Sequence, residues 1–291
     1  MKHTTAIDTV KIQVDLNSQE QQQRLVNGVI EDLRSSQRKI HIKIEERRAG
    51  AILISIEYCL YTKRNHIATL STGMYEAGSY IKNTRAAVYY VAVKFAGLKS
   101  YDGAKDIASK SCLLSICSYF NLHRYSFKFK ELDICLDVQC PYTGFISKCT
   151  KKTPRTQYYT SKDTQAYKST TYIEKIAKKK IHKATKRAYS YDKSHKEELL
   201  YPLSRFEVKL QSKFFKNNNT DIQKIRKNLE SYHILFIEQE QERLSFISIY
   251  ENLKSTKRSE INKLNIEEER ITFDIDIVEA FIHELQDIDC L

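Results

Sequence analysis

The stretch Lys39–Tyr61, KIHIKIEERRAGAILISIEYCLY, decides the fold class. Its two halves, Lys39–Glu46 and Ala51–Tyr61, are rich in β-branched and aromatic residues and are joined by a turn at Ala49-Gly50. So short a connection reverses the chain and makes an antiparallel hairpin, because a parallel pair needs a crossover of a dozen or more residues. Upstream, Val10, Ile12, Val14 and Leu16 alternate with Lys11, Gln13 and Asp15, the period of a half-buried strand. Ser18 then caps a helix to Arg34 that carries Leu25, Val29, Ile30 and Leu33 at helical spacing. Strand, helix, strand, strand is not the order of β-α-β units.

Downstream, a loop around Gly73 and Gly78 precedes the strand Ala87–Phe95, which Gly97 stops, and a helix over Asp102–Phe120. Strand patterns follow at Tyr125–Lys130, Leu132–Val138, Gly144–Lys148, Thr171–Glu174, Ala188–Asp192 and Arg205–Leu210, and from Thr220 onward the apolar spacing is helical. The expected class is α+β, with antiparallel-sheet lobes, packed helices and a C-terminal helical extension. The expected domains are an N-terminal α+β lobe over 1–98, a catalytic α+β lobe with the basic segment over 99–215, and an acidic helical extension over 216–291. With 7 Gly, 3 Pro and no low-complexity spacer, no flexible linker is expected.

The net charge of +12 is concentrated. Phe145–Lys196 holds fifteen Lys or Arg against three acids, which suits a polyanionic partner, since cations that neutralise phosphates release condensed counterions. Glu267–Leu291 is the opposite, with nine acids and one Arg. The seven cysteines form no CxxC pair, so reduced core thiols are expected rather than a zinc knuckle or a disulfide framework. No signal-like apolar stretch opens the chain and no run approaches the roughly 20 apolar residues of a membrane span, so a cytoplasmic location is expected.

Several chemistries are disfavoured. The sequence has no Gly-rich phosphate loop, no G-x-S-x-G, no His-Glu-x-x-His and no pair of histidines on one strand face. What remains is acidic and phenolic. On Glu131–Val138, alternation places Asp133, Cys135 and Asp137 on one face, the two carboxylates about 13 Å apart by strand rise. One of them together with Glu207, which Arg205 and Lys209 flank, would make an oxygen-rich site for Mg²⁺ or Mn²⁺. Spacing fits surface acids paired with lysines as well. On Arg187–Lys193, Tyr189, Tyr191 and Lys193 share a face, and a phenol of pKa about 10 needs a nearby base or cation to attack phosphorus.

The motifs Leu132-Asp133-Ile134-Cys135-Leu136-Asp137, Thr170-Thr171-Tyr172, Tyr191-Asp192-Lys193 with Glu197, and Arg205-Phe206-Glu207-Val208, in this order, resemble those of the plasmid rolling-circle replication initiators and relaxases of the replication-initiation-factor (Rep_trans) family. The resemblance covers Leu132–Leu210. It implies a replication initiator that nicks one origin strand, with Tyr191 as nucleophile, Tyr189 as its rival, and Lys193 and Glu197 assisting. It further implies Asp133 or Asp137 with Glu207 as ligands of a divalent Mg²⁺ or Mn²⁺ ion. Lys178, Lys179, Lys180, Lys183, Lys186, Arg187 and Arg205 would grip DNA, and Tyr158, Tyr159 and Tyr167 would stack on bases. The implied partners are double- and single-stranded origin DNA, a second copy in a homodimer, and a host helicase. The competing reading is a non-catalytic DNA-binding replication or regulatory protein, which uses the same basic segment. A tyrosine recombinase is disfavoured because no histidine is followed by Arg three residues later.

Overall fold

The computed structural model describes residues 1–36, 40–49, 52–62, 65–78, 86–99, 103–149, 156–160, 170–175, 186–218, 220–252 and 270–286. The chain forms two compact units, Ile7–Leu132 with Phe281–Leu291, and Met1–Ala6 with Asp133–Ala280. Each unit is discontinuous in sequence, because segments remote along the chain come together within it. The class is α+β with antiparallel sheets and a C-terminal helix, as the sequence indicates. Among the described residues no helix is long and apolar enough to cross a membrane.

In the unit of Ile7–Leu132, β1 (His3–Leu16), which enters it at Ile7, is followed by α1 (Gln19–Ser36) and a four-strand meander. The meander consists of β2 (Ile40–Ala49), β3 (Ile52–Thr62), β4 (Asn65–Ala77) and β5 (Ala86–Ala96), and β5 returns to lie beside β1. The β1–β5 register sets Val10 opposite Phe95, Ile12 opposite Val93 and Val14 opposite Val91, all buried. Each such side chain contributes roughly 1.5–3 kcal/mol. α1 and α2 (Gly103–Leu122) pack together, and Gly28 permits it, since a Cβ there would stand 1.8 Å from the Tyr119 hydroxyl. β4 runs through the expected loop at Gly73. Gly73 pairs opposite Tyr90 in the ladder, and its lack of a Cβ leaves room for the Tyr90 hydroxyl, which lies 2.4 Å from where a Cβ would be.

The other unit repeats this plan. β6 (Phe127–Val138), which enters it at Asp133, is followed by a 3-10 turn (Tyr142–Gly144) and β7 (Phe145–Cys149). A second four-strand meander then runs through β8 (Thr156–Thr160), β9 (Thr171–Lys175), β10 (Lys186–Asp192) and β11 (Ser204–Gln211), and β11 returns to lie beside β6. α3 (Lys193–Glu197) lies between β10 and β11, and α4 (Ser212–Asn218) and α5 (Ile222–Leu229) follow β11. β12 (Tyr232–Phe236), α6 (Glu240–Asn252), β13 (Arg270–Ile271) and α7 (Ile275–Gln286) complete the chain.

β12 corrects the helical reading beyond Thr220. It pairs with β7 and β13 in a three-stranded sheet, and Tyr232, His233, Ile234 and Leu235 are all buried. A short run buried on both faces has no strand alternation to display, so its spacing read equally as helix. Phe206 of β11 packs edge-on to Tyr232, 5.1 Å between ring centres, and 6.0 Å from the ring of Phe273. That is the apolar face of β11, and it leaves Arg205, Glu207 and Lys209 to the other.

Candidate active site

Ladder register assembles the site. In the β10–β11 pair Tyr189 lies opposite Glu207 and Tyr191 opposite Arg205, so phenols and charges share one face. β6, on the other side of β11, adds Asp133 and Asp137 to that face. Arg205 donates through Nε to Asp137 Oδ1 at 2.5 Å and through Nη2 to Oδ2 at 2.8 Å, a two-pronged pair, and its Nη1 stands 3.5 Å from Glu207 Oε1. Lys209 Nζ donates to Asp133 Oδ2 at 3.0 Å. The Tyr191 hydroxyl donates to Glu207 Oε1 at 2.7 Å.

α3 brings further charges. Asp192 caps it by accepting from the backbone N–H of His195 at 3.0 Å. The turn carries Lys193 Nζ to Glu197 Oε1 at 2.5 Å, and sets Lys196 Nζ 5.0 Å from the centre of the Tyr191 ring and Lys193 Nζ 6.0 Å from it. Tyr189 stacks on Tyr191 at 6.1 Å and lies tilted to Tyr172 at 5.7 Å, and the Arg187 guanidinium lies 5.8 Å from the Tyr172 ring centre.

Proton affinities follow from this packing. Burial, then the negative charges of Glu207 and Asp133, push the Tyr189 phenol far up, so it stays neutral. Burial would lower Arg205, but the hydrogen bond to Asp137 and the surrounding negative charge outweigh it and fix the guanidinium as a cation. Lys193 is lowered by burial and by the Arg205 charge, against the pull of Glu197. Burial works to raise Glu197, but the hydrogen bond from Lys193 and the charges of Lys193, Lys196 and Arg205 hold it below the ordinary glutamate value.

The structure brings together Tyr191, Lys193, Glu207, Asp133, Asp137 and Arg205, and places Glu197 at the edge of the group through Lys193. Around the expected ion ligands, Asp137 is held by Arg205, Asp133 by Lys209, and Glu207 by Tyr191, and among the described residues no group of three or more His, Cys, Asp or Glu side chains is placed to hold a metal. Arg205, expected on the DNA, is 0% exposed, because strand alternation points it at Asp137 rather than at solvent. Tyr191 itself is only 5% exposed.

Of the remaining expected contacts, Lys178, Lys179, Lys180, Lys183 and Tyr167 lie outside the described residues. Lys186 is placed on β10, Tyr158 and Tyr159 on β8, and Arg187 is half-buried. The reading missed Lys196 over the phenol, although its place five residues after Tyr191, one helical turn beyond the Asp192 cap, carried that signal.

Fold and site together define an α+β protein whose sheet bears a phenol hydrogen-bonded to a carboxylate among buried cations. The chain is similar to the solved structure of the rolling circle replication initiator protein from Geobacillus stearothermophilus, with 11% identity, a TM-score of 0.41, and coverage of 100% of this chain and 98% of that one. No family model matches the chain, and no curated protein matches it.

Proposed function

We propose that this protein is a replication initiator of the rolling-circle type that binds an origin and nicks one DNA strand by transesterification to Tyr191. The observation that carries the reading is the 2.7 Å hydrogen bond from the Tyr191 hydroxyl to Glu207, with Lys196 over the ring. The order of motifs along Leu132–Leu210 and the basic segment support it.

In this reading Glu207 accepts the phenolic proton as the Tyr191 oxygen attacks phosphorus. The new Oη–P bond forms and the P–O3′ bond breaks. DNA is left joined to tyrosine through its 5′ phosphate, and the departing 3′ oxygen takes up a proton from solvent to become the primer hydroxyl. Lys196 faces the phosphate oxygens, while Arg205 holds Glu207 and Asp137 in place. The phosphodiester energy is conserved in the phosphotyrosine bond, in keeping with a sequence that has no nucleotide-binding loop. No step is assigned to a divalent ion.

The burial of Tyr191 favours a second reading, a non-catalytic DNA-binding replication or regulatory protein in which the charged face only stiffens the sheet. Supercoiled DNA carrying the origin of the protein's own element separates the two. Wild type, Tyr191→Phe and Tyr189→Phe are incubated with it, with Mn²⁺ or Mg²⁺ and then with chelator. Relaxed circles bearing protein on a 5′ end, lost only in Tyr191→Phe, support nicking by Tyr191, and the chelator arm measures metal dependence. Tight binding without a nick from any of the three moves the assignment to the second reading.

A further inference from the structure

The other unit carries a second phenol–carboxylate–lysine group. On the face of β4 that holds Gly73, the Tyr75 hydroxyl donates to Asp15 Oδ2 at 2.8 Å. Gln13 Nε2 donates to the other oxygen, Asp15 Oδ1, at 2.5 Å, and Lys128 of β6 forms an ion pair with Asp15. Register makes this one face, since Asp15 and Gly73 both lie opposite Tyr90, and the Tyr75 and Tyr90 rings are 6.2 Å apart.

Two observations lift this group above an ordinary surface hydrogen bond. The first is topological. Each unit has a strand to which a later four-strand meander returns, and within that plan β4 occupies the place of β10 and β1 the place of β6. Tyr75 therefore stands on the strand corresponding to the one that bears Tyr191. The second is access. Tyr75 is 37% exposed, with side-chain exposures of 44% for Lys128 and 28% for Asp15, whereas Tyr191 is 5% exposed. Tyr75 is thus the more solvent-exposed of the two phenols.

We propose that Tyr75 is a second nucleophile for phosphodiesters, with Asp15 as its proton acceptor and Lys128 as the cation facing the phosphate. The proposal rests on the nicking reading. In the step, the Tyr75 Oη–P bond forms, the P–O3′ bond breaks, the phenolic proton passes to Asp15, and the 3′ oxygen leaves with a proton from the Lys128 ammonium. Burial works to raise Asp15, but the hydrogen bonds from Lys128, Gln13 and Tyr75 outweigh it and hold the group below the ordinary aspartate value, so the carboxylate is ionised and carries no proton of its own when the phenol attacks. Two such tyrosines would let one chain cleave and then rejoin without releasing the strand.

The test uses the full chain and thymidine 5′-(4-nitrophenyl phosphate), an activated diester that carries no sequence requirement. Attack by a phenol releases nitrophenolate and leaves thymidylate on that tyrosine. The expected result is a stoichiometric burst in Tyr191→Phe, with the added mass mapped to the peptide containing Tyr75, and loss of that burst in the double variant Tyr191→Phe/Tyr75→Phe. Asp15→Asn, placed in the Tyr191→Phe background, is expected to slow the burst by about 100-fold or more. A wild-type adduct mapped only to Tyr191 overturns the second nucleophile and leaves the nicking reading standing. No adduct on any tyrosine, together with no nicking of origin DNA, overturns both. A burst that is unchanged by Asp15→Asn removes Asp15 from the role of proton acceptor.

Discussion

Tyr191 lies opposite Arg205 in the β10–β11 ladder, yet its hydroxyl donates to Glu207, the residue opposite Tyr189. Both phenols of β10 thus converge on one carboxylate, and the charge of that carboxylate is among the causes that keep Tyr189 protonated. One acid therefore serves whichever tyrosine acts.

Glu207→Gln is accordingly expected to reduce single-turnover nicking by about 10²- to 10⁴-fold, the usual contribution of a positioned base. Tyr191→Phe should remove the covalent adduct at position 191, and Tyr189→Phe should retain it. Filter binding to the same DNA should change little in any of the three. Full activity in Glu207→Gln would remove Glu207 as the proton acceptor.

Arg205 is the largest of the fully buried side chains and is paired with Asp137. Breaking a buried pair from one side strands its partner, so Arg205→Met should destabilise the protein by about 3–5 kcal/mol. Arg205→Met combined with Asp137→Leu removes both charges and should recover most of the loss. Urea unfolding followed by circular dichroism measures this; the chain has no Trp to report by fluorescence. A double variant no more stable than the single one would contradict the pairing argument.

The Lys193–Glu197 pair gives a pH signature. Unfolded, Lys193 has its ordinary value near 10.5, and folding lowers it. Between the folded value and 10.5 the folded state binds fewer protons, so stability rises with pH in that window, and Lys193→Met should erase the rise. Glu197 falls below 4.5 on folding, so its contribution is present above 4.5 and is lost as the pH drops through the folded value. Unfolding midpoints of Glu197→Gln should accordingly differ most from wild type above pH 4.5 and converge with it in acid.

Burial pushes the thiols of Cys112 and Cys117 up to about 12 and that of Cys140 to about 11. Native protein treated with iodoacetamide at pH 8 should therefore be alkylated at the partly exposed Cys149 and spared at those three. Peptide mapping reads the result, and rapid labelling of Cys112 would contradict the packing of α2.

If the basic segment neutralises phosphates, log K for DNA should fall linearly with log salt. Each contact removed should reduce that slope by about 0.9 for duplex or about 0.7 for single strands. Lys186→Ala and Arg187→Ala test this one at a time, while Arg205→Lys, altering a buried cation, should leave the slope unchanged. An altered slope in the Arg205 variant would place that residue at the DNA.

Alternation and turn chemistry carried the fold class. Period 2 in Thr9–Leu16 and Leu132–Val138, and the short reversal at Ala49-Gly50, require antiparallel strands whatever their neighbours are. The same period fixed which residues share a face, so Asp133 with Asp137, Tyr189 with Tyr191, and Arg205 with Glu207 and Lys209 were all legible as sets. What the pattern could not contain is which strand lies beside which, and in what register, because those depend on pairings between segments far apart in sequence. Only the placement of β11 between β6 and β10 turned Arg205 inward to Asp137 and joined the Tyr191 phenol to Glu207. For the same reason Asp15 met Tyr75 and Lys128 across 60 and 113 residues of chain. β12, buried on both faces, became a strand because β7 and β13 supplied its hydrogen-bond partners, which its own spacing could not foretell.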